Sequence, residues 1–268
     1  TPPLFIQHKI ASILSAYDDL IEKNLKRIKL LEEIAQRTYE EWFVKYRINK
    51  KQLKINDETG FPEGWIEKEL GQIITKLESG SRPKGGIDKE LKDRIPSIGA
   101  ESVLGLGQYN YGKEKVVLRS FYDKMKRGRV EQKDILIYKD GAYIGKTSMF
   151  QDEFPHKICV VNEHVFLINT GNESLQNYLF FTLNRQEYFQ KMQSLNSNSA
   201  QPGINQEKLN SLMILVPKKE FIEDYSKIVN PLVKLIFNLA KQNQLLKESR
   251  DTLLSKLMTG KIKIKRRS

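Results

Sequence analysis

The 268-residue sequence has very little cysteine and no long apolar runs. Its one cysteine, Cys159, excludes a disulfide framework and suits a reducing cytoplasm, and its apolar neighbours predict a position in the core. No stretch approaches the ~18 uninterrupted apolar residues that span a bilayer. The N-terminus is too polar for a signal peptide. We therefore expect a cytoplasmic protein with no membrane partner. The sequence starts at Thr1 instead of Met, which indicates a fragment or a processed chain.

Motifs of catalysis are also missing from the sequence. It lacks the Asn/Asp-Pro-Pro-aromatic motif and the Gly-rich cofactor loop of an adenine methyltransferase, and it lacks a P-loop. The histidines, which are His8, His156 and His164, have no companion metal ligands at a useful spacing. The sequence therefore predicts a protein without catalytic residues, a cofactor or a metal of its own.

Positive charge is what the chain has in excess. Lysine and arginine number 45 against 33 acidic residues, which gives a formal charge of +12. Such an excess favours polyanionic partners, with nucleic acid the commonest and a membrane surface the second. The alternative is an ordinary surface charge that only keeps the protein soluble. Charge alone leaves these readings open.

Residues 1–45 predict one long helix. Between Ile10 and Val44 there is neither Gly nor Pro. Apolar and near-apolar positions recur in alternating steps of three and four, which is a heptad seam that packs against another helix. The positions are Leu14, Tyr17, Ile21, Asn24, Ile28, Leu31, Ala35, Thr38 and Trp42.

A second heptad seam follows in residues 217–260, before a basic tail at 261–268. It has Leu232, Leu235, Leu239, Gln242, Leu246, Ser249, Leu253 and Lys256, and Gly260 is expected to stop the helix. A shift of 218 positions superposes the two seams, with Asn24 on Gln242, which favours two copies of one element over two unrelated helices. We predict an antiparallel stalk, in which Leu14, Ile21 and Ile28 face the seam of Leu232, Leu239 and Leu246. Asn24 is expected to meet Gln242.

Residues 46–216 predict an α+β domain carried on that stalk. Short runs rich in branched side chains and flanked by turn formers predict strands at 116–118, 134–138, 158–161, 165–168 and 212–216. One helix is predicted from about residue 175 to residue 193, with Ser174 as its N-cap.

Several loops of this domain offer the side chains that DNA recognition needs, which are cations for phosphates and planar groups for base edges. For each of them the alternative is an ordinary surface turn or local packing. The sequence favours Arg82 and the polar loop 194–201. The candidate residues are Arg82, Lys84, Tyr109, Tyr111, Lys139, Tyr143, Lys146, Asn196, Asn198 and Gln201.

Short motifs at both ends of the chain and within the domain occur in the order of one family. The opening Pro2-Pro3-Leu4 and the later Asp18–Ile21 resemble a conserved central helix, although the usual Glu is missing from Phe5–Gln7. The ending Leu253–Ile262 resembles the distal helix of the same family. The segments at 61–65, 80–84, 128–137, 140–146 and 201–205 are similar to parts of its target-recognition domain. Together they resemble the specificity subunits of type I restriction–modification systems.

The resemblance implies a function in DNA recognition. A complete subunit of that family has two target-recognition domains held apart by two antiparallel helices, and it reads a bipartite target in double-stranded DNA. It docks methyltransferase subunits, which recruit the restriction subunit, and these partners would bind S-adenosyl methionine, ATP and Mg²⁺. With one such domain, this sequence is expected to read half a target and to self-associate through its stalk. Two alternatives stay open, which are the recognition region of a fused restriction–methylation enzyme and a coiled-coil protein-assembly module.

Overall fold

The computed structural model describes residues 3–83, 93–141, 143–196, 203–259 and 261–262. In these segments none of the helices is both long and apolar enough to cross a membrane. The α-helices are α1 (Leu4–Tyr39), α2 (Arg119–Lys124), α3 (Glu173–Leu183), α4 (Gln186–Ser194), α5 (Gln206–Asn210) and α6 (Lys219–Met258). The strands are β1 (Arg47–Ile48), β2 (Lys51–Gln52), β3 (Ile66–Glu69), β4 (Lys76–Ser79), β5 (Arg94–Ile98), β6 (Lys115–Leu118), β7 (Ile135–Tyr138), β8 (Thr147–Met149), β9 (Val160–Val161), β10 (Val165–Asn169) and β11 (Met213–Val216).

Helices α1 and α6 pack side by side and form the stalk. Asp18 of α1 forms an ion pair with Arg250 of α6. Further along α1, Asn24 Nδ2 donates to Asn243 Oδ1 over 3.0 Å. Nearer the globular part, the hydroxyl of Tyr225 donates to the carbonyl oxygen of Ala35 over 3.2 Å. As the residue number increases along α1, the residue number of the contacting partner on α6 decreases. The two helices are therefore antiparallel, as the heptad pattern predicts.

The α1 seam agrees with the prediction, and the α6 seam is displaced by one residue. Ile21 and Ile28 are buried and Leu14 is half-buried. On α6, the predicted Gln242 is exposed, and the neighbouring Asn243 is buried against Asn24 instead.

The displacement has a simple cause in the apolar side chains of α6. Where α6 packs on both α1 and the domain, residues on two faces are buried, so two seams one residue apart both look apolar. Leu239 belongs to the buried set, while Leu232 and Leu246 are half-buried and Leu235 is exposed. One residue turns a helix by about 100°, which points Gln242 away from α1. The observed seam contains Val233, Ile236, Ala240 and Asn243.

The domain between the helices mixes short sheets with helices, which confirms the predicted α+β class. Its main sheet is antiparallel with strand order β4-β10-β7-β8. A second sheet has the order β6-β5-β9, in which β5 and β9 are parallel. Two further pairs of strands are β11 with β3 and β1 with β2. Their strands lie next to α1 or α6 in the sequence, where the chain enters and leaves the domain.

Side chains of β7 and β10 alternate between two apolar clusters, as the period of a strand requires. Ile135 and Ile137 face the main core with α3 and α6, whereas Leu136 faces a smaller core on the other side of the sheet. That smaller core includes Val161 and Cys159. The predicted core position of Cys159 is confirmed, and burial raises the pKa of its thiol.

The single helix predicted over residues 175–193 is wrong in two respects. The structure has two helices, α3 and α4, with a break at Asn184 and Arg185. The N-cap is Asn172 instead of Ser174, and its Oδ1 accepts from the Leu175 amide over 2.9 Å. Asn184 ends α3, and its Oδ1 accepts from Thr147 Oγ1 of β8. A short amide side chain with such a partner favours a helix end over a helix interior.

An aromatic cluster joins the stalk to the domain. Phe43 lies in the π-helical turn that extends α1, and its ring centroid is 4.9 Å from that of Tyr178 and 5.1 Å from that of Tyr225. The rings of Trp65 and Tyr39 also contact Phe43. All five rings are buried. Because they come from both helices of the stalk and from the domain, the two parts share one core.

A buried lysine makes a second joint between the domain and the stalk. Lys133 Nζ donates to Asn177 Oδ1 of α3 over 3.2 Å and to Asn230 Oδ1 of α6 over 2.9 Å. Glu173 lies 3.3 Å from the same ammonium group. Burial lowers the pKa of Lys133 in spite of the nearby carboxylate. The domain is therefore fixed to α6 by a polar contact as well as by apolar packing.

Candidate nucleic-acid interface

A cleft of about 1200 Å³ opens at one edge of the main sheet. Strand β10 is antiparallel to both β4 and β7, so its start lies beside their ends: Phe166 pairs with Ser79, and Val165 pairs with Tyr138. Loops that follow β4 and β7 therefore meet the turn that precedes β10. The cleft is lined by Ser79, Arg82, Ala100, Glu101, Val103, Leu104, Lys115, Tyr138, Lys139, Asp140, Gly141, Tyr143, Lys146, His164, Phe166, Gly203, Ile204, Asn205 and Gln206.

Four of the residues predicted to contact DNA line this cleft together. They are Arg82, which follows β4, and Lys139, Tyr143 and Lys146, which lie between β7 and β8. Lys84, Asn198 and Gln201 were predicted as well, and these three lie outside the described residues.

In the hairpin connection between β7 and β8, hydrogen bonds hold the described residues on either side of position 142. The Tyr138 amide donates to the Lys146 carbonyl, and the Gly145 amide donates to the Tyr138 carbonyl, each over 2.9 Å. Gly145 has a φ of +93°, and a Cβ there would lie 3.1 Å from Met192 Cβ of α4. Glycine is therefore needed for both the backbone conformation and the close approach to α4.

That connection presents a cation and an aromatic ring to solvent. Lys146 Nζ lies over the ring of Tyr143, 4.1 Å from its centroid. Tyr143 is 57% exposed, although it is a large aromatic residue. Among the described residues, no carboxylate lies within ion-pair distance of Lys146 Nζ. Lys146 is thus held by a ring and stays available to an anionic ligand.

The other cations among the described residues of the cleft are paired with carboxylates. Arg82 Nε lies 2.9 Å from Glu163 Oε1. Lys139 Nζ lies 2.9 Å from Asp140 Oδ2. Lys115 Nζ, on β6, lies 3.2 Å from Glu101 Oε1. The described part of the cleft is therefore close to charge balance, although the chain as a whole has a charge of +12.

His164 connects two of these pairs. Its Nδ1 lies 2.9 Å from Asp140 Oδ2, and its Nε2 lies 3.3 Å from Glu163 Oε1. The His164 amide donates to Asn162 Oδ1 over 2.9 Å, which fixes the turn before β10. The carboxylates that pair with Arg82 and Lys139 are thus held by the same imidazole.

Sequence reasoning missed the acidic members of the cleft and one of its cations. Asp140 follows Lys139 directly, so its position in the same turn was the available signal. Glu163, Glu101 and Lys115 gave no signal, because only the pairing of β10 and the second sheet with the rest of the fold brings them to the cleft.

The structure places the predicted Tyr109 and Tyr111 apart from the cleft. Their rings meet edge to face with centroids 4.7 Å apart, and both rings contact His156. Burial raises the pKa values of both hydroxyl groups. Gly107, just before them, packs so closely on α6 that a Cβ there would lie 2.9 Å from Ile236. The two tyrosines therefore belong to the contact between the domain and the stalk, and their predicted role in DNA binding stays a prediction.

Asn196 is held at the rim of the cleft by a backbone contact. Its Oδ1 accepts from the Gly203 amide over 2.9 Å. The next amide, of Ile204, donates to the Lys139 carbonyl over 2.9 Å. Asn196 thus fixes Gly203 beside the hairpin connection, so the structure supports a positioning role for this side chain.

The side chains of the cleft are of the types that bind a ligand with both anionic groups and hydrogen-bonding edges. Guanidinium and ammonium groups contact phosphates and guanine edges, and carboxylates accept from amino groups of bases. The described segments contain no group of three or more His, Cys, Asp or Glu side chains that could hold a metal ion.

Comparison with known proteins gives a consistent result. A family model described as "Type I restriction modification DNA specificity domain" matches residues 62–248, which is more than half of the chain. The chain is similar to the type I restriction enzyme MjaIX specificity subunit of Methanocaldococcus jannaschii, with 29% identity over 265 residues, 96% of this chain and 59% of that protein. It is also similar to the MjaVIII specificity subunit of that organism, with 23% identity over 98% of this chain and 62% of that protein.

A solved structure shows the same fold. The crystal structure of the type I restriction–modification S subunit from M. genitalium matches 95% of this chain and 61% of that chain, with a TM-score of 0.57 and 19% identity. The present chain thus spans about three fifths of the length of the relatives that it matches.

Proposed function

We propose that this chain, which belongs to the family of type I restriction modification DNA specificity domains, binds a segment of double-stranded DNA in its cleft and reads part of its sequence. The observation that supports the proposal most directly is the meeting of Arg82, Lys139, Tyr143 and Lys146 in one cleft. These residues come from two separate loops, and they supply the cationic and planar groups that phosphates and base edges require.

The hairpin connection after β7 is suited to this task because hydrogen bonds position the backbone of Tyr143 and Lys146 before DNA arrives. Its backbone hydrogen bonds and its contact with α4 fix Tyr143 and Lys146 in place. A preorganised side chain loses less conformational freedom on binding than a mobile one does. We infer that Lys146 contacts a phosphate, and that Arg82, which is able to make two parallel hydrogen bonds, contacts a guanine edge.

The stalk supports the second part of the proposal, which is assembly with other subunits. At 1.5 Å per residue the 36 residues of α1 extend for roughly 54 Å. Several large apolar side chains on its outer side are exposed, among them Leu20, Leu30 and Ile34. We propose that methyltransferase subunits dock on this stalk, hold S-adenosyl methionine and recruit a restriction subunit that uses ATP and Mg²⁺. This chain then contributes no catalytic residue, acts in the cytoplasm and reads one half of a bipartite target.

A selection experiment tests the DNA proposal. The purified chain is incubated with random-sequence duplexes, and bound DNA is sequenced over repeated rounds. We expect one short motif to be enriched, with binding that weakens steeply as salt rises. Absence of any enriched motif or of salt-sensitive binding would remove DNA recognition and leave the coiled-coil assembly module as the better account of the exposed apolar side chains.

Paired variants then locate the interface. Arg82→Ala is expected to lower the affinity for the selected duplex by ~1–3 kcal/mol if Arg82 reads a guanine edge. Arg37→Ala is the matched control, since Arg37 also pairs with a glutamate, Glu33, but lies on the stalk. Fluorescence anisotropy with both variants gives the comparison. Equal losses for the two variants would show that the cleft is not the DNA site.

A further inference from the structure

Two cations of the cleft are already neutralised inside the free protein. Arg82 pairs with Glu163, and Lys139 pairs with Asp140. The side chains of Glu163 and Asp140 are 41% and 30% exposed, so part of each carboxylate is shielded from water. Partial burial strengthens an ion pair because the local dielectric constant is lower than in water. A phosphate that approaches the cleft must therefore compete with a carboxylate for each of these cations.

His164 provides both carboxylates with a second partner. Asp140 Oδ2 and Glu163 Oε1, which pair with Lys139 and Arg82, also face the two ring nitrogens of His164. When Arg82 or Lys139 turns towards DNA, its carboxylate still faces a ring nitrogen of His164.

From this arrangement, and resting on the proposed function, we propose that Glu163 and Asp140 are intramolecular competitors that hold down the affinity of the cleft for DNA. A cation that stays paired with its carboxylate is withheld from a phosphate, and phosphate contacts supply nearly all non-specific binding. At the target the cation leaves its carboxylate for a bidentate contact with a base, which is the stronger contact. The two carboxylates therefore lower the affinity for every sequence and set how strong a contact with DNA must be before the cation is released.

The substitution Glu163→Gln tests the inference, because it removes the charge and keeps the shape of the side chain. The full chain is compared with the variant on two duplexes, one with the selected motif and one with its bases shuffled. For the shuffled duplex we expect affinity to rise by about one-and-a-half- to fivefold, the range for an ion pair at a surface. The slope of log affinity against log salt should steepen by about 0.9, as for one additional phosphate contact. The affinity for the selected duplex should rise by at least the same factor, because its contact with Arg82 is at least as strong.

Glu63→Gln is the matched control. Glu63 also pairs with a lysine, Lys54, over 2.7 Å, and the substitution changes the net charge by the same amount outside the cleft. We expect it to leave the shuffled affinity nearly unchanged. An equal gain for Glu63→Gln and Glu163→Gln would attribute the effect to net charge and overturn the inference.

A double-mutant cycle separates local competition from a general structural effect. In the background of Arg82→Ala, the gain from Glu163→Gln should largely disappear, because the cation that Glu163 competes for is absent. Asp140→Asn, which acts through Lys139, provides an independent variant with the same expectation if Glu163→Gln fails to fold in a thermal melt.

The possible results distinguish the inference from the proposed function. If the unsubstituted chain selects a motif but both carboxylate variants leave shuffled binding unchanged or weaker, only the role of Glu163 and Asp140 is overturned. If the unsubstituted chain binds no duplex, the proposed function and this inference both fall.

Discussion

Asn24 and Asn243 meet inside the stalk between rows of apolar side chains, whereas Arg82 and Glu163 meet at the edge of a cleft that is open to water. In the stalk, residues pair because they recur at fixed spacing along two helices, and burial of apolar surface supplies the stability. In the cleft, residues pair because three strand ends lie side by side, and the interactions are between charges. The buried contacts of the stalk are not readily replaced by contacts with a ligand, whereas the ion pairs of the cleft are.

The largest effect is expected from a substitution that removes an aromatic ring from the base of the stalk. Phe43→Ala is expected to lower the free energy of unfolding by about 3–5 kcal/mol, because the buried ring contacts Trp65, Tyr178 and Tyr225 and leaves a cavity when it is removed. Denaturant unfolding gives the value. Val44→Ala, one residue further on and exposed, should change the free energy by less than about 0.5 kcal/mol. Similar losses for both variants would contradict the shared aromatic core.

The same contrast explains which parts of the fold could be predicted from the sequence. A helix seam repeats along one element, so Ile21, Asn24 and Ile28 were correctly placed from spacing alone. Gln242 was wrong because α6 is apolar on two faces, and spacing does not decide which face meets α1. The helix break at Asn184 was missed because its cause is a partner, Thr147, on another element.

The cleft was predicted only in part, for a related reason. Arg82, Lys139 and Lys146 are predicted to contact DNA because cations in glycine-containing loops are typical of such contacts, and the structure brings them to one cleft. Their partners Glu163 and Asp140 were not assigned to the site, since nothing in the local sequence of a turn shows which loop lies beside it. Tyr109 and Tyr111 have the composition of a stacking loop, and only the packing of the preceding glycine on α6 shows that they are near the stalk.

A smaller effect is expected from the buried contact between two amide side chains within the stalk. Asn24→Ala removes the donor to Asn243 Oδ1 and leaves a buried amide oxygen without its partner, which should cost about 1–3 kcal/mol. Gln242→Ala is the control, because Gln242 is exposed, and it should change the free energy of unfolding little. A larger loss for Gln242→Ala than for Asn24→Ala would restore the register that the sequence alone suggested.

Cysteine pairs check the same register directly. Asn24→Cys combined with Asn243→Cys is expected to crosslink within one chain under mild oxidation, and Asn24→Cys combined with Gln242→Cys is expected to crosslink much less. Crosslinks found only between chains would show that the two helices of the stalk are exchanged between molecules. The two measurements together separate an error of register from an error of topology.

The smallest effect is expected at Lys133. Its ammonium group is buried between the domain and the stalk, whereas the cations of the cleft are open to water. Burial lowers the pKa of Lys133 in the folded state below the value of 10.5 for an ordinary lysine. The unfolded chain therefore binds more protons than the folded chain between those two values, so this residue makes stability rise as pH increases through that window. Lys133→Met lacks the titration, and its deficit in unfolding free energy relative to the unsubstituted chain should grow as pH rises towards 10.5. Lys219→Met, which replaces an exposed lysine at the start of α6, is the control measured in parallel. Because other titrating groups are shared by all three chains, they cancel in these differences.

A flat difference for Lys133→Met would show that the ammonium group at the joint is as well solvated as one at the surface. The contrast between a buried polar joint and an open cleft would then fail.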